Sequence, residues 1–420
     1  MSGYCAVCNA YYTEGAETTT KCKNKICGFY NEPSIVTGFF ISDEEHNKWI
    51  NETVLPFKEE YIRRLVPSAK YISAGHAHTM LIKNDNTILG FGLNKYKQLG
   101  DGTTINRHLP VEVMDNVKSV SAGYPYTMVI KNDNTLWGTN LGITRNTPLK
   151  IMKNVKSVAA GYFYTMIIKD DNSLWGFGWN KYGQLGDGTT TSRHIPVKIM
   201  NNVKSISIGY QHTMVVKTDN TLWGFGNNNH GQLGDSTNTS SKSPVKIMDD
   251  VKSVSAGGSH TIVVKTDSTL WVFGRNKQGQ LGVGTTTNHH TPVKIMDNVK
   301  SAFAGGAHTM VIKINGTLLS FGWNGRGQLG NGTTTDSHTP IKIMNNTKSV
   351  FTGGAHTMVI KTDGTLLSFG WNLYGQLGNG TTTDIHTPIK IIKSDRKTNE
   401  LKHEQNNKQP KKRHKRKGKR

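Results

Sequence analysis

The feature that most constrains this chain is an internal repeat. Versions of the string Ala-Gly-x-x-His-Thr-Met-x-Ile-Lys recur 48 residues apart, except for one gap of 38 residues. Seven copies span residues 69–392. A β-rich repeat of this length is typical of a radial architecture in which each copy forms one small sheet. The repeated glycine, here called the marker glycine, falls at Gly75, Gly123, Gly161, Gly209, Gly257, Gly305 and Gly353.

Each unit contains four short runs of β-branched and aromatic residues, and Gly, Asn, Asp or Pro bounds each run. Pro196 opens the first run of one unit, as expected of a strand start, where its missing N–H costs least. Four strands in each of seven units predict an all-β fold, a seven-bladed β-propeller with four-stranded antiparallel blades. In that unit the runs are 196–200, 203–207, 212–217 and 221–226.

The repeat resembles that of the regulator-of-chromosome-condensation family. The similarity lies in Ala-Gly-x-x-His-Thr, clearest at 256–261, and in Trp-Gly-Phe-Gly-x-Asn-x-x-Gly-Gln-Leu-Gly, clearest at 175–186. It covers about three quarters of the chain. The resemblance implies a seven-bladed propeller but no single function, because one fold serves many functions. The member that names the family pairs nucleosome binding with nucleotide exchange on a Ran-type GTPase.

Strand alternation predicts two different faces of the propeller. Because antiparallel neighbours run in opposite directions, the Ala-Gly-x-x-His turn and the Gly-Gln-Leu-Gly connection share one end of each blade, here called the loop face. The Asp-Asn-Val-Lys and Lys-Asn-Asp-Asn turns share the other end, here called the turn face.

A ring of histidines follows the marker glycines. It suggests a metal site, but we expect a structural role, because Tyr takes the same position in two blades. We expect each side chain to hydrogen-bond within its own blade, and we interpret a ladder of Trp residues as core. The ring is His78, Tyr126, Tyr164, His212, His260, His308 and His356, and the ladder is Trp137, Trp175, Trp223 and Trp271.

The loop face changes from one side of the ring to the other. The residues after the marker glycine are largely aromatic in blades two to four, but they are Gly-Ser or Gly-Ala in blades five to seven. The short gap removes ten residues between Trp137 and Pro148, beside the aromatic side. We predict a partner groove there; the alternative is that these rings cover the core. The candidate partner-binding residues are Tyr124, Tyr162, Phe163, Trp179 and Tyr210.

The turn face repeats lysine in every blade. Such a ring is typical of a solvated rim, and its functional interpretation is a basic face for phosphate or for an acidic protein. One row precedes the strand before each marker glycine, at Lys70, Lys118, Lys156, Lys204, Lys252, Lys300 and Lys348. A second row ends the next strand, at Lys83, Lys131, Lys169, Lys217, Lys265, Lys313 and Lys361.

All four cysteines lie in the first 27 residues, at Cys5, Cys8, Cys22 and Cys27. The N-terminus lacks the pattern of a secretory signal, so two pairs of thiolates predict a structural zinc site rather than disulfides. The module, residues 1–40, resembles a zinc ribbon, although its second pair is spaced by four residues. Residues 41–68 predict a short helical spacer, because Ser42 begins a capping box.

The C-terminal segment is strongly basic. The whole chain has a net charge of +22, and residues 391–420 hold 13 Lys and Arg against 3 Asp and Glu. We expect 393–420 to be a disordered tail that leaves the propeller on the turn face and acts in nuclear localisation or in nucleic-acid binding. The alternative is a solubilising tail. The basic candidates are Lys411, Lys412, Arg413, Lys415, Arg416, Lys417, Lys419 and Arg420.

These features predict a non-enzymatic, monomeric, intracellular scaffold that binds chromatin, a nucleic-acid assembly or an acidic protein, with nuclear targeting as one role of its tail. The sequence contains no catalytic motif and no apolar run long enough to span a membrane. The alternatives are a guanine-nucleotide exchange factor and a protein-interaction adaptor in ubiquitin or trafficking pathways. Exchange is less favoured, because the exchange-active relative uses a hairpin wedge and the regular 48-residue spacing leaves no room for one.

Overall fold

A computed structural model describes residues 69–140 and 147–392, together with a small antiparallel pair of strands, Gly3–Tyr4 and Tyr11–Tyr12. Residues 69–392 form seven four-stranded antiparallel sheets, and each sheet is built from four consecutive strands. The predicted all-β, seven-bladed propeller is therefore confirmed. The predicted zinc ligands, the helical spacer and the basic tail lie outside the described residues.

The strands of a blade are numbered first to fourth along the chain. The first strands are Ala69–Ala74, Val117–Ala122, Val155–Ala160, Val203–Ile208, Val251–Ala256, Val299–Ala304 and Thr347–Thr352. The second strands are His78–Lys83, Thr127–Lys131, Tyr164–Lys169, His212–Lys217, His260–Lys265, His308–Lys313 and His356–Lys361. The third strands are Ile88–Gly92, Leu136–Gly138, Leu174–Gly178, Leu222–Gly226, Leu270–Gly274, Leu318–Gly322 and Leu366–Gly370. The fourth strands are Arg107–Met114, Leu149–Met152, Arg193–Met200, Ser241–Met248, His289–Met296, Ser337–Met344 and Ile385–Ile392.

The hydrophobic core lies between neighbouring blades. One cluster joins Met214 and Leu222 of blade four to Val251, Val263 and Phe273 of blade five, all of them buried. Related clusters fill the other joints. Because both faces of each sheet pack against a neighbour, the second strands are buried along nearly their whole length instead of alternating between core and solvent.

The fourth strands differ from the prediction. The strand that holds Pro196 begins at Arg193, three residues earlier, so the proline lies inside it. Pairing with the third strand is irregular there, because the register shifts between the Gly176–Val197 and Gly178–Arg193 pairs. This strand is the outer edge of its blade, where proline is tolerated because no further strand needs its N–H.

The marker glycines form a ring around the propeller axis and line one cavity at its loop-face end. A Cβ placed on Gly209 would lie 2.2 Å from the carbonyl oxygen of Gly257 and 2.4 Å from His212 Cε1. The next residue along the chain reaches the neighbouring blade directly, as when Tyr124 N–H donates to Gly161 O at 3.0 Å. The glycine recurs because neighbouring blades approach too closely there for any side chain.

The ring closes between blades seven and one without sharing a strand. On the loop face Gly354 N–H donates to Gly75 O at 3.1 Å across the closing joint, and four other joints have an equivalent bond. On the turn face it differs. Val203 N–H donates to Asn172 O at 2.9 Å between blades three and four, and five other joints have an equivalent bond. Among the described residues, no such bond joins Ala69 to Gly364 at the closing joint.

The predicted assignment of loops and turns to opposite faces is confirmed by strand register. In the last blade, Gly370 pairs with Ile385 at the loop face and Leu366 pairs with Ile392 at the turn face. The last strand therefore ends on the turn face, as the sequence predicts for the point where the tail begins. The first strand also starts there, because Ala69 pairs with Lys83.

Candidate partner-binding face

The structure corrects the expected partner of the histidine ring. His212 Nε2 lies 3.0 Å from Thr261 Oγ1, which belongs to the next blade and not to its own. A bond to Thr213, the threonine of its own blade, is excluded because consecutive side chains of a strand point to opposite faces. The other pairs are His78 with Thr127 (2.8 Å), His260 with Thr309 (3.2 Å), His308 with Thr357 (3.1 Å) and His356 with Thr79 (3.0 Å).

Each threonine also contacts the Gly-Gln-Leu-Gly connection of the preceding blade. Thr261 Oγ1 donates to Gln232 O at 2.7 Å. Because the hydroxyl has one proton, it accepts its second bond from the Nε2–H of His212, which fixes that tautomer. We call this arrangement of His, Thr and Gln the inter-blade clamp. Burial lowers the pKa of His212 to about 3, so the ring is neutral at physiological pH.

Tyrosine replaces histidine in the clamp, as predicted. The Tyr164 hydroxyl donates to His212 O in the next blade at 2.7 Å, and the Tyr126 hydroxyl donates to Tyr164 O. The longer side chain donates to a backbone oxygen, and its hydroxyl accepts a bond from the threonine of the next blade, as when Thr165 Oγ1 donates to the Tyr126 hydroxyl at 3.0 Å. These residues are structural in both versions, because they join blades inside the core.

Three of the predicted partner-binding residues pack on one another over the loop-face end of the axis. The rings of Tyr124 and Tyr162 stack with centroids 4.7 Å apart and an interplanar angle of 16°. Tyr210 lies 5.6 Å from Tyr162, and His76 lies 5.0 Å from Tyr124. Burial raises the pKa of Tyr210 to about 12. Together these four residues form an aromatic cap over the cavity that the marker glycines line.

The other two predicted residues lie at the joint between blades two and three. Phe163 is 47% exposed and has a positive φ of 64°. With Tyr162 and Trp179 it lines a cavity of about 590 Å³, which Arg193 and His194 border from the fourth strand of blade three. The structure therefore places an apolar cavity beside the ten-residue deletion, and only part of the aromatic arc faces it.

The regular joints show what occupies this position elsewhere. Gly284 N–H, from the long connection of blade five, donates to His338 O in the fourth strand of blade six at 2.9 Å. Four further joints have an equivalent bond. At the joint between blades two and three the corresponding acceptor is His194 O, and no described residue donates that bond to it. The shortened blade thus leaves a strand end uncovered by any described residue.

Sequence reasoning did not predict a second cavity on the loop face, in blades five to seven, where glycine follows each marker glycine. Arg275 follows the third strand of blade five and lines a cavity of about 260 Å³ with Tyr210, Trp323 and three glycines. The signal was available in the sequence: the residue after Phe-Gly is Trp, Asn or Leu in five other blades, and Arg here.

On the turn face, the repeated lysines are held by local contacts. Lys217 Nζ lies 5.3 Å above the Trp223 ring, and Trp223 Nε1–H donates to Thr221 Oγ1 at 2.9 Å. Asp219 accepts from Thr221 Oγ1 at 2.7 Å. Lys204 of the other row donates to Asn220 Oδ1 at 2.7 Å. The lysines thus form an ordered rim, and the ladder Trp beneath them is half-buried against the core.

Comparison with known proteins assigns this propeller to a family. The model of the regulator of chromosome condensation (RCC1) repeat matches more than half of the chain, so this protein belongs to the RCC1 repeat family. A second model of the same repeat also matches within residues 155–376. The first model matches residues 85–130, 171–216, 219–264, 267–312, 315–360 and 363–402.

Solved structures share the fold at low sequence identity. Prp20p from Saccharomyces cerevisiae is 20% identical, with a TM-score of 0.61 over 67% of this chain and 80% of that one. Yeast RCC1 (Prp20) bound to Kap60 is 18% identical, with a TM-score of 0.66 over 80% of this chain and 87% of that one. Human WBSCR16 is 22% identical, with a TM-score of 0.53 over 76% and 80%. No curated protein matches the sequence significantly. In the described part of the chain, no helix is long and apolar enough to cross a membrane.

Proposed function

We propose that this protein is a non-enzymatic scaffold that binds a protein partner on its loop face, while its basic tail adds electrostatic affinity for chromatin, another nucleic-acid assembly or an acidic protein. The observation that carries the proposal is the asymmetry of the loop face. The marker glycines and clamps repeat around the ring, but the residues that follow the marker glycines differ. They contribute to an aromatic cap and an apolar cavity on one side of the ring, and on the other side they are glycines that line a second cavity.

The comparisons support a protein-binding role. The structure of Prp20p was described together with its binding properties to Gsp1p and histones, and yeast RCC1 (Prp20) was solved bound to Kap60. Aromatic side chains beside a cavity are the usual anchors of a protein interface. We extend to this chain the class of partner, a protein, and not the identity of any one of these.

The turn face supports a separate electrostatic role. The last strand ends there at Ile392, so the basic segment that follows begins on the same side as both rows of lysines. A tail of this charge binds phosphate through many weak contacts, which makes its affinity strongly salt-dependent. Nuclear localisation is the accompanying proposal for the cell.

Nucleotide exchange on a small GTPase is the second candidate, because the family includes an exchange-active member. The hairpin wedge of that member has no counterpart in residues 69–140 and 147–392, where each sheet has its four strands. An adaptor role in ubiquitin or trafficking pathways is the third candidate. Exchange is tested with the full chain and a labelled nucleotide on a Ran-type GTPase. Structural zinc on the four cysteines also remains a proposal, tested by metal analysis of the full chain.

The decisive experiment measures binding to nucleosomes and to naked DNA at 50 and 200 mM salt, with the full chain and with a chain lacking residues 393–420. We expect the truncation to remove most DNA binding and the salt dependence, and to leave nucleosome binding that Phe163→Ala with Trp179→Ala weakens. The matched control is Ile195→Ala, because Ile195 is 73% exposed and does not line the cavity. Failure to bind nucleosomes or DNA at 50 mM salt would rule out the chromatin role.

A further inference from the structure

Arg275 differs from the other arginines that the structure describes. Arg107, Arg193 and Arg326 each contact a carboxylate, at 2.7, 2.6 and 3.2 Å. Arg275 forms no ion pair with any described residue, and its Nε is buried without a hydrogen-bond partner among them. Burying part of a guanidinium without a partner is unfavourable. The side chain is therefore a cation whose acceptor is missing from the described part of the chain.

The cavity around Arg275 has room for a small acidic group. Its floor is made by Gly258, Gly306 and Gly354, the residues after the marker glycines of blades five to seven. A Cβ on Gly306 would lie 2.4 Å from Gly354 O and 2.7 Å from the Tyr210 hydroxyl. Close packing of the ring thus requires glycine at that position, and the resulting floor has no side chains that could fill the cavity.

The groups around the cavity favour a negative charge. His230, in the connection of the neighbouring blade, does not line the cavity, but its pKa is lowered by burial and then by the positive charge of Arg275. The Tyr210 hydroxyl faces the same cavity and accompanies Arg275 as a hydrogen-bond donor. A guanidinium recognises a carboxylate through two parallel N–H···O bonds, which gives both affinity and geometry.

The surroundings favour an acidic protein over a nucleic-acid backbone. A phosphate backbone is bound through a row of cations along its length, and the rows of lysines lie on the opposite, turn face. Here one arginine lines the same cavity as Trp323, Tyr210 and the glycine floor. An aromatic rim around one buried charge is typical of an anchor pocket for one side chain of a protein.

We infer that the loop face contains a carboxylate pocket, centred on Arg275, that receives an Asp or Glu side chain of an acidic protein partner. The inference rests on the proposed function, because it identifies the chemistry of the partner on the same face. It also assigns different roles to the two sides of that face: the cavity beside Phe163 binds apolar groups, and the glycine side binds acid.

The test uses the full-length chain and a fluorescein-labelled octaglutamate peptide as probe, with binding followed by anisotropy at 50 and 200 mM salt. Arg275→Gln and Arg326→Gln remove the same charge from the same face, so they are a matched pair. We expect Arg275→Gln to weaken binding at least fivefold at 200 mM salt and Arg326→Gln to weaken it less than twofold. Arg275→Lys should give an intermediate loss, because it keeps the charge without the paired geometry. Equal losses in the two Gln variants would overturn the inference.

A second measurement separates this inference from the proposed function. Nucleosome binding by the full chain is compared between Arg275→Gln and the Phe163→Ala, Trp179→Ala double variant. If the double variant weakens nucleosome binding but Arg275→Gln changes neither assay, the pocket is wrong and the scaffold role stands. If nucleosomes do not bind but the octaglutamate difference persists, the pocket stands and the chromatin role is wrong. Circular dichroism melting of Arg275→Gln and Arg326→Gln checks that both fold.

Discussion

The loop face and the turn face are built from the same repeat, but they differ in what repeats. On the turn face, blades two to five repeat one cluster. In it a Thr or Ser hydroxyl donates a hydrogen bond to an Asp and accepts one from a Trp indole N–H, and a Lys lies over the Trp ring. On the loop face, the marker glycines and the clamps are regular, whereas the residues above them change from aromatic to glycine around the ring.

This difference indicates that some positions of the repeat stabilise the fold and that others are available to bind a partner. A position that every blade needs for packing keeps its structural role in every blade, even where Tyr replaces His in the clamp. A position that points away from the neighbouring blade is free to vary, and a partner can use it. The predictions below test this division, and each pairs a repeated position with a variable or differently placed one.

The largest expected effect is the loss of stability in acid. Burial lowers the pKa of five clamp histidines, to about 4 for His260 and about 3 for His78, His212, His308 and His356. Because they are protonated in the unfolded chain below about pH 6.5 but stay neutral when folded, each costs about 1.4 kcal/mol per pH unit below 6.5. We expect the propeller to unfold between about pH 6 and 4, measured by circular dichroism in urea.

The stability that the turn face contributes should be lost at a lower pH than the stability that depends on the histidines. Its acidic caps, such as Asp219 and Asp267, have their pKa lowered mainly by hydrogen bonds from Thr221 and Thr269. The stability that they add is present above their ordinary pKa of 3.8 and is lost as the pH falls below it. His260→Gln should flatten the curve between pH 6.5 and 4, whereas Asp219→Asn should leave that range unchanged. If the stability of the unsubstituted protein does not change between pH 7 and 5, the loss of stability in acid cannot be assigned to the histidines.

A side chain at the marker glycine should be the most damaging single change. In Gly209→Ala the Cβ would meet the carbonyl oxygen of Gly257 at 2.2 Å, so two blades must separate. We expect a loss of about 3 kcal/mol in the free energy of unfolding, measured by urea denaturation. The control is Gly364→Asn on the turn face, where Asn86, Asn134, Asn172 and Asn220 occupy the same turn position with positive φ. A similar loss in both variants would remove the distinction between the faces.

Removing one clamp hydroxyl should cost less. Thr261→Val keeps the shape but leaves His212 Nε2 and Gln232 O without their partner, and we expect a loss of about 2 kcal/mol. Thr79→Val does the same at the closing joint. Because that joint lacks the turn-face bond, we expect Thr79→Val to accelerate amide exchange in Ala69–Ala74 more than Thr261→Val does in Val251–Ala256. Equal exchange would mean that the closing joint is as strong as the others.

The lysine rim should matter little for stability. Lys217→Ala removes a cation 5.3 Å from the Trp223 ring, and an exposed contact of this kind is worth about 0.5–1 kcal/mol. We expect a small fall in the urea midpoint. Lys217→Arg, which keeps the cation, is the control and should show no fall. A loss above about 2 kcal/mol would mean that the rim contributes to the core.

The smallest effect on stability is expected where the loop face varies. Phe163 is 47% exposed, so Phe163→Ala should change the free energy of unfolding by less than about 0.5 kcal/mol. The same variant should weaken partner binding. Tyr164→Ala, one residue along, removes a buried ring that bonds to His212 O, and we expect it to destabilise strongly. Thermal melting of the two variants compares them directly, and equal melting temperatures would contradict the division between stability and recognition.

The sequence predicted those parts of the fold that depend on local pattern. The period of the marker glycine predicted seven blades, and strand alternation predicted both faces and the turn-face position of Ile392. Sequence comparison between blades also indicated that His and Tyr are interchangeable. It did not indicate the partner of His212, because Thr261 lies 49 residues away and approaches only when two finished blades stack.

The candidate site was predicted in part for the same reason. The deletion and the aromatic residues were visible along the chain, so the cavity beside Phe163 could be anticipated. That Tyr124, Tyr162 and Tyr210 stack over the axis could not, because their contact arises from the curvature of the ring. Arg275 is the one arginine among the residues that follow Phe-Gly, but only the structure shows that no described carboxylate pairs with it.

The sequence by itself determined the blade, because glycines, turn residues and β-branched runs act over a few residues and recur with a fixed period. The tertiary structure alone decided the joints, including the inter-blade clamps, the axial ring of glycines and the closing contact of blades seven and one. Those contacts depend on the distance and angle between neighbouring sheets. Only their packing sets these quantities, because no single repeat encodes them.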